Sequence, residues 1–171
     1  MQTKTKLATR TVAVLAMLVA FGVVLGRFVP VVNIWSTEIE FSFVAVMLAG
    51  YIAGPVGGVA VGGLIDFIGA ILFPTGAYFP GFTATAALTG MVFGLMFHKN
   101  CSLWKIIVAV LSTQLVCSLI LNTLFISILY TKAFSVLIVT RLIQVAIMSA
   151  VQIIIGFFML TKIKSLEKLK F

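Results

Sequence analysis

Apolar runs without a charged side chain recur along this sequence, and few architectures accommodate them. Residues 11–26, 41–65, 106–130 and 142–161 carry no Asp, Glu, Lys or Arg. Runs of 18 or more apolar residues are the mark of bilayer-spanning helices rather than helices buried in a soluble core. Only 9% of the residues are charged and 62% are hydrophobic. A soluble domain carries roughly 25% charge, so lipid, not water, has to cover this surface.

The runs divide into six predicted helices, at about residues 9–28, 41–54, 56–73, 81–97, 104–130 and 134–161. Pro30, Gly54-Pro55 and the Pro74 to Pro80 stretch supply the breaks. Residues 41–54 are short for a span, roughly 20 Å at 1.5 Å per residue. The basic N-terminal start resembles a signal peptide. Its apolar run meets Arg27 and Phe28 instead of a small-residue cleavage site, so the sequence predicts a retained first helix. Of the 12 basic residues, nine lie in the N-terminal segment, the loop holding Lys99 and Lys105, and the C-terminal tail. With six spans all three fall on one side, which the positive-inside rule makes cytoplasmic. The expected fold is a single all-α integral membrane domain over residues 1–171, a six-helix bundle with both termini cytoplasmic. A net charge of +8 is explained by those helix ends, so nucleic acid is not an expected partner. Cys101 and Cys117 read as ordinary thiols.

Ionisable side chains within a span need a partner or a cavity. Asp66 and Arg141 are two such residues, each seven positions from the outer end of its helix and so roughly 10 Å below the surface. Gln114, Ser118 and Asn122 recur every four residues, and Arg141, Gln144, Met148 and Gln152 follow a 3-4-4 spacing. These stripes converge near one depth. They suit either a pocket or a structural Asp66–Arg141 ion pair with interhelical hydrogen bonds. The aromatic, proline-rich outer loops, with Trp35, Phe73, Tyr78 and Phe79, favour the pocket. Gln114 and Gln152 lie deeper and are expected to be structural. Gly54, Gly58, Gly62 and Ala86, Gly90, Gly94 repeat at four, which predicts close helix packing within the protein.

Catalytic signatures are lacking. The chain has one histidine, no HExxH, no GxSxG and no P-loop. No metal, cofactor or catalytic residue is expected, and any ATP hydrolysis belongs to other subunits.

Gly26-Arg27-Phe28, Gly63-Leu-Ile-Asp66, the stretch Leu72-Phe-Pro-Thr-Gly-Ala-Tyr-Phe-Pro-Gly-Phe-Thr83, Leu121-Asn-Thr-Leu124 and Thr140-Arg-Leu-Ile143 occur in that order. Together they resemble the folate-specific S component of energy-coupling factor (ECF) transporters, over nearly the whole chain. The resemblance implies a non-catalytic vitamin-binding subunit of an ABC-type importer in a prokaryotic cell membrane. Its implied partners are a transmembrane T component and two cytoplasmic ATPase subunits. Small residues of helix 1 pack against the T component in that family, which Ala13, Ala16 and Ala20 match here. The binding subunit there is thought to topple to release its cargo inward.

Folate chemistry suits the candidate residues. Asp66 offers a carboxylate to paired pterin donors. Asn122, Gln144 and Thr83 add polar contacts, and Phe28, Trp35, Tyr78 or Phe79 could stack on the ring systems. Arg27 or Arg141 would meet the pterin oxygen or the tail carboxylates. Glu38 and Glu40 oppose an anionic tail, so they point away or the ligand enters pterin first. The alternatives are an S component for riboflavin or thiamine, or a membrane subunit or enzyme unrelated to transport.

Overall fold

A computed structural model describes residues 2–28, 40–74, 78–98, 102–130 and 134–168. Among them every regular element is helical: α1 (Gln2–Arg27), α2 (Phe43–Leu72), α3 (Pro80–Phe97), α4 (Leu103–Ser112), a π-helical segment (Thr113–Asn122), α5 (Thr123–Tyr130) and α6 (Phe134–Lys168). A backbone in lipid must satisfy its own polar groups, which helices do. The helices α1 and α6 run beyond the predicted limits, to Gln2 and Lys168.

Among the described residues, five stretches are long and apolar enough to cross a membrane: Thr9–Arg27, Phe43–Leu72, Pro80–Phe97, Leu103–Leu129 and Arg141–Met159. The sequence reading expected six helices, and the difference lies in α2. Its predicted halves, 41–54 and 56–73, join without a loop at Gly54, whose φ of 68° and ψ of −158° are non-helical. A left-handed φ is open to glycine at little cost, and Pro55 then begins the second arm with its φ already helical. The arms fold back on each other. A Cβ on Gly62 would lie 3.5 Å from the Val46 side chain, although sixteen residues of straight helix would span about 24 Å.

The small-residue repeats meet as the spacing predicts. A Cβ on Gly58 would run into the Gly90 carbonyl, one on Gly62 into that of Ala86, and one on Gly94 into Pro55. The second arm of α2 and α3 therefore pack antiparallel, backbone against backbone, as small residues permit.

One end of the bundle is filled. Met47, Phe93, Phe97, Ile106, Ala109 and Val110 are all at most 2% exposed, and the Phe93 and Phe97 rings stack at 5.4 Å. This is the end near Gly54 and His98, called the closed end below. The other end, marked by Arg27, Leu72 and Pro80, is the mouth end. Outward faces are apolar too, including Val12, Met17, Phe21 and Val24 of α1 and Leu95 of α3, as a lipid-facing surface requires.

Candidate binding cavity

A cavity of about 480 Å³ lies inside the bundle, lined from every apolar stretch of the chain. That volume falls within the usual range for small-molecule sites, roughly 300–1,000 Å³.

Its mouth end is charged. Arg27 occupies the last turn of α1, where a cation complements the helix dipole. Its side chain crosses Gly69, at which a Cβ would lie 3.0 Å from the guanidinium Nε. Glu40 lines the cavity and accepts a 2.8 Å hydrogen bond from Ser42; it does not point away. Thr83 donates to Asp66 Oδ2 at 2.6 Å, and the Tyr78 hydroxyl lies 3.2 Å from Thr83 Oγ1. Since a hydroxyl carries one proton, Tyr78 donates to Thr83 and Thr83 to the carboxylate. The Thr85 hydroxyl is 2.8 Å from both Asn122 Oδ1 and the Phe82 carbonyl. It links α3 to the π-helical segment. Arg141 Nη1 reaches the Ser118 carbonyl at 3.4 Å.

Val46, Ile65, Phe82 and Met148 add apolar lining. Toward the closed end come Thr113, Gln114 and Gln152, all buried. Thr113, Gln114, Cys117, Ser118 and Asn122 reach the cavity from the π-helical segment. Such widened turns occur frequently at functional sites. The cavity holds no grouping that suits a metal among the described residues.

Of the ten residues expected to touch the ligand, six line this cavity: Arg27, Asp66, Tyr78, Asn122, Arg141 and Gln144. Thr83 is not among the lining residues but donates to Asp66, which is. Phe28 and Phe79 are not among the lining residues. Phe28 is 63% exposed and meets Phe73 edge-on at 5.1 Å, while Phe79 packs with Phe82 and Phe125. Phe82 faces the cavity in place of Phe79. Trp35 lies outside the described residues. Gln114 and Gln152, expected to be structural, line the cavity. Their stripes pointed to it, since each shares a helical face with a residue expected there. Thr85, Met148 and Gly69 gave no chemical signal of their own. Ala13, Ala16 and Ala20 are exposed on α1.

Residues 10–163 match the family described as ECF transporter, substrate-specific component. The folate transporter FolT of Clostridium novyi (strain NT) is 34% identical over 142 residues, covering 82% of this chain and 82% of that protein. FolT of Leuconostoc mesenteroides subsp. mesenteroides is 33% identical over 162 residues, covering 91% of this chain and 86% of its own length. A crystal structure of FolT bound with folic acid superposes with a TM-score of 0.83 at 30% identity, covering 90% of this chain and 94% of the other.

Proposed function

The chain belongs to the substrate-specific components of ECF transporters, and from that membership we propose that it binds folate outside the cell for import. Binding is its own task. A transmembrane T component and two cytoplasmic ATPases are the partners that complete the cycle. The setting is a prokaryotic cell membrane, crossed six times if each arm of α2 counts once, with both termini cytoplasmic under the positive-inside rule.

One observation carries the substrate: the cavity combines charged groups toward its mouth (Arg27, Glu40, Asp66), buried neutral amides toward its closed end (Gln114, Gln152) and apolar surface from Val46, Ile65, Phe82 and Met148. Folate has parts of the same three kinds: a dianionic glutamate tail, a neutral hydrogen-bonding pterin and an aromatic linker. Arg27 and Arg141 suit the carboxylates, since guanidinium groups pair with them bidentately. Asp66, Asn122 and Gln144 supply polar contacts, and Tyr78 and Phe82 offer rings. Similarity to proteins named folate transporters supports the same substrate. The exposed alanines of α1 leave a low-relief face on which a partner helix can approach closely.

Calorimetry on the detergent-purified protein tests the proposal with folic acid, riboflavin and thiamine side by side. One-to-one binding of folic acid alone is expected. Binding of riboflavin or thiamine instead keeps the importer and refutes the substrate.

A further inference from the structure

Four charged side chains line the cavity among the described residues, and their formal charges cancel: Arg27 and Arg141 against Glu40 and Asp66. Asp66 is tied to α3 by Thr83. Glu40 is the acid at the rim, exposed to solvent while it faces the cavity. Two contacts seat it. Ser42 donates to its Oε1 at 2.8 Å, and a Cβ on Gly26 would lie 2.8 Å from the same oxygen, so the bare Cα of Gly26 leaves the carboxylate its room. Glu40 thus stands beside the turn of α1 that carries Arg27.

An acid in the mouth of a site for an anion works against its own ligand. Without Glu40, however, the described lining would carry one net positive charge. A positive cleft with apolar walls draws in small anions of many kinds, and choosing one partner often takes a repulsive element against the others. We infer that Glu40 is a specificity-determining residue, which offsets the arginines so that negative charge alone does not admit a ligand. The inference rests on the folate reading and concerns the charge of the ligand. Repulsion falls on folate too, so a dianion binds less tightly here than it would with a neutral residue at position 40. Folate makes up that loss with hydrogen bonds and apolar contacts along the rest of the cavity, which a small carboxylate or phosphate cannot reach.

Glu40→Gln tests this at nearly constant shape, since the amide oxygen can still accept from Ser42. Calorimetry compares the variant with wild type on folic acid, on the dimethyl ester of folic acid, whose tail is uncharged, and, by competition, on 4-aminobenzoylglutamate, a dianion without the pterin. The variant is expected to bind folic acid roughly 3- to 10-fold more tightly, the size expected of one unit charge acting on a dianion about 10 Å away through partly solvated protein. The fragment is expected to gain by a similar factor, and the ester to change less than about two-fold. At about 1 M salt, where charges are screened within about 3 Å, the gain is expected to vanish. Glu40→Ala, which has no side-chain bond to Ser42, should show the same selective gain. Equal or weaker binding of folic acid by the variants overturns the assignment, and weaker binding shows Glu40 to accept a hydrogen bond from the ligand. A gain shared by the ester, a gain that survives salt, or a fragment that competes no better overturns it as well. A wild-type protein that binds no folic acid refutes the folate reading itself, and the assignment falls with it.

Discussion

Thr83 has one proton to give and two polar neighbours, Asp66 and Tyr78. The proton goes to the carboxylate, which makes the stronger, charge-assisted bond and fixes the direction in which Asp66 faces. Thr83→Val removes this anchor at nearly constant shape. Folic acid binding is expected to weaken roughly 10-fold, as for loss of a bond to a charged group, and calorimetry reads the change directly. Asp66 and Arg141 were legible in the sequence because an ionisable group in a span demands an explanation. Gln114 and Gln152 were placed on the correct stripes but judged by depth, and the cavity runs deeper than the level of the ionisable pair. The aromatics were harder to place. A phenyl ring gains from another ring much as from a ligand, so Phe28 packs on Phe73, and Phe79 on Phe125.

At the scale of elements, the contact between α2 and α3 depends on missing side chains. A Cβ on Gly58 meets the Gly90 backbone, whereas one on Gly63 meets only the Ala87 Cβ, at an ordinary 3.6 Å. Gly58→Leu is therefore expected to lower the melting temperature of the purified protein strongly, or to prevent its purification, while Gly63→Ala leaves melting nearly unchanged. Thermal unfolding in detergent compares them. The repeats of four announced this interface in the sequence. The break at Gly54 was also visible, because glycine followed by proline ends one helix and opens another. That the arms join without a loop was not, since the same pair suits a longer connection. The π-helical segment left no sequence signal. Five of its residues, Thr113, Gln114, Cys117, Ser118 and Asn122, line the cavity.

At the scale of the whole molecule, the cavity and the exposed alanines take different lengths of α1, the cavity its C-terminal turns. Gly22, Val23, Gly26 and Arg27 line the cavity, while Ala13, Ala16 and Ala20 are exposed. Ala16→Trp puts bulk on an exposed position six residues before the first cavity-lining residue of α1. Folic acid affinity of the isolated protein is expected to stay within about two-fold, as for a substitution remote from the site, while folate uptake by cells expressing the complete complex is lost. Parallel loss of affinity and uptake would place the alanine face in the binding site instead. The filled closed end has its own consequence. With Met47, Phe93, Phe97 and Ile106 packed below the cavity, the bundle is a cup and not a pipe. A cup fills and empties over one rim. Left alone in a membrane it can neither conduct ions nor build a gradient, and a cell can keep many copies idle without leaking. Concentrating the vitamin then requires that the rim be presented to the other side, and work done by something else must set that direction.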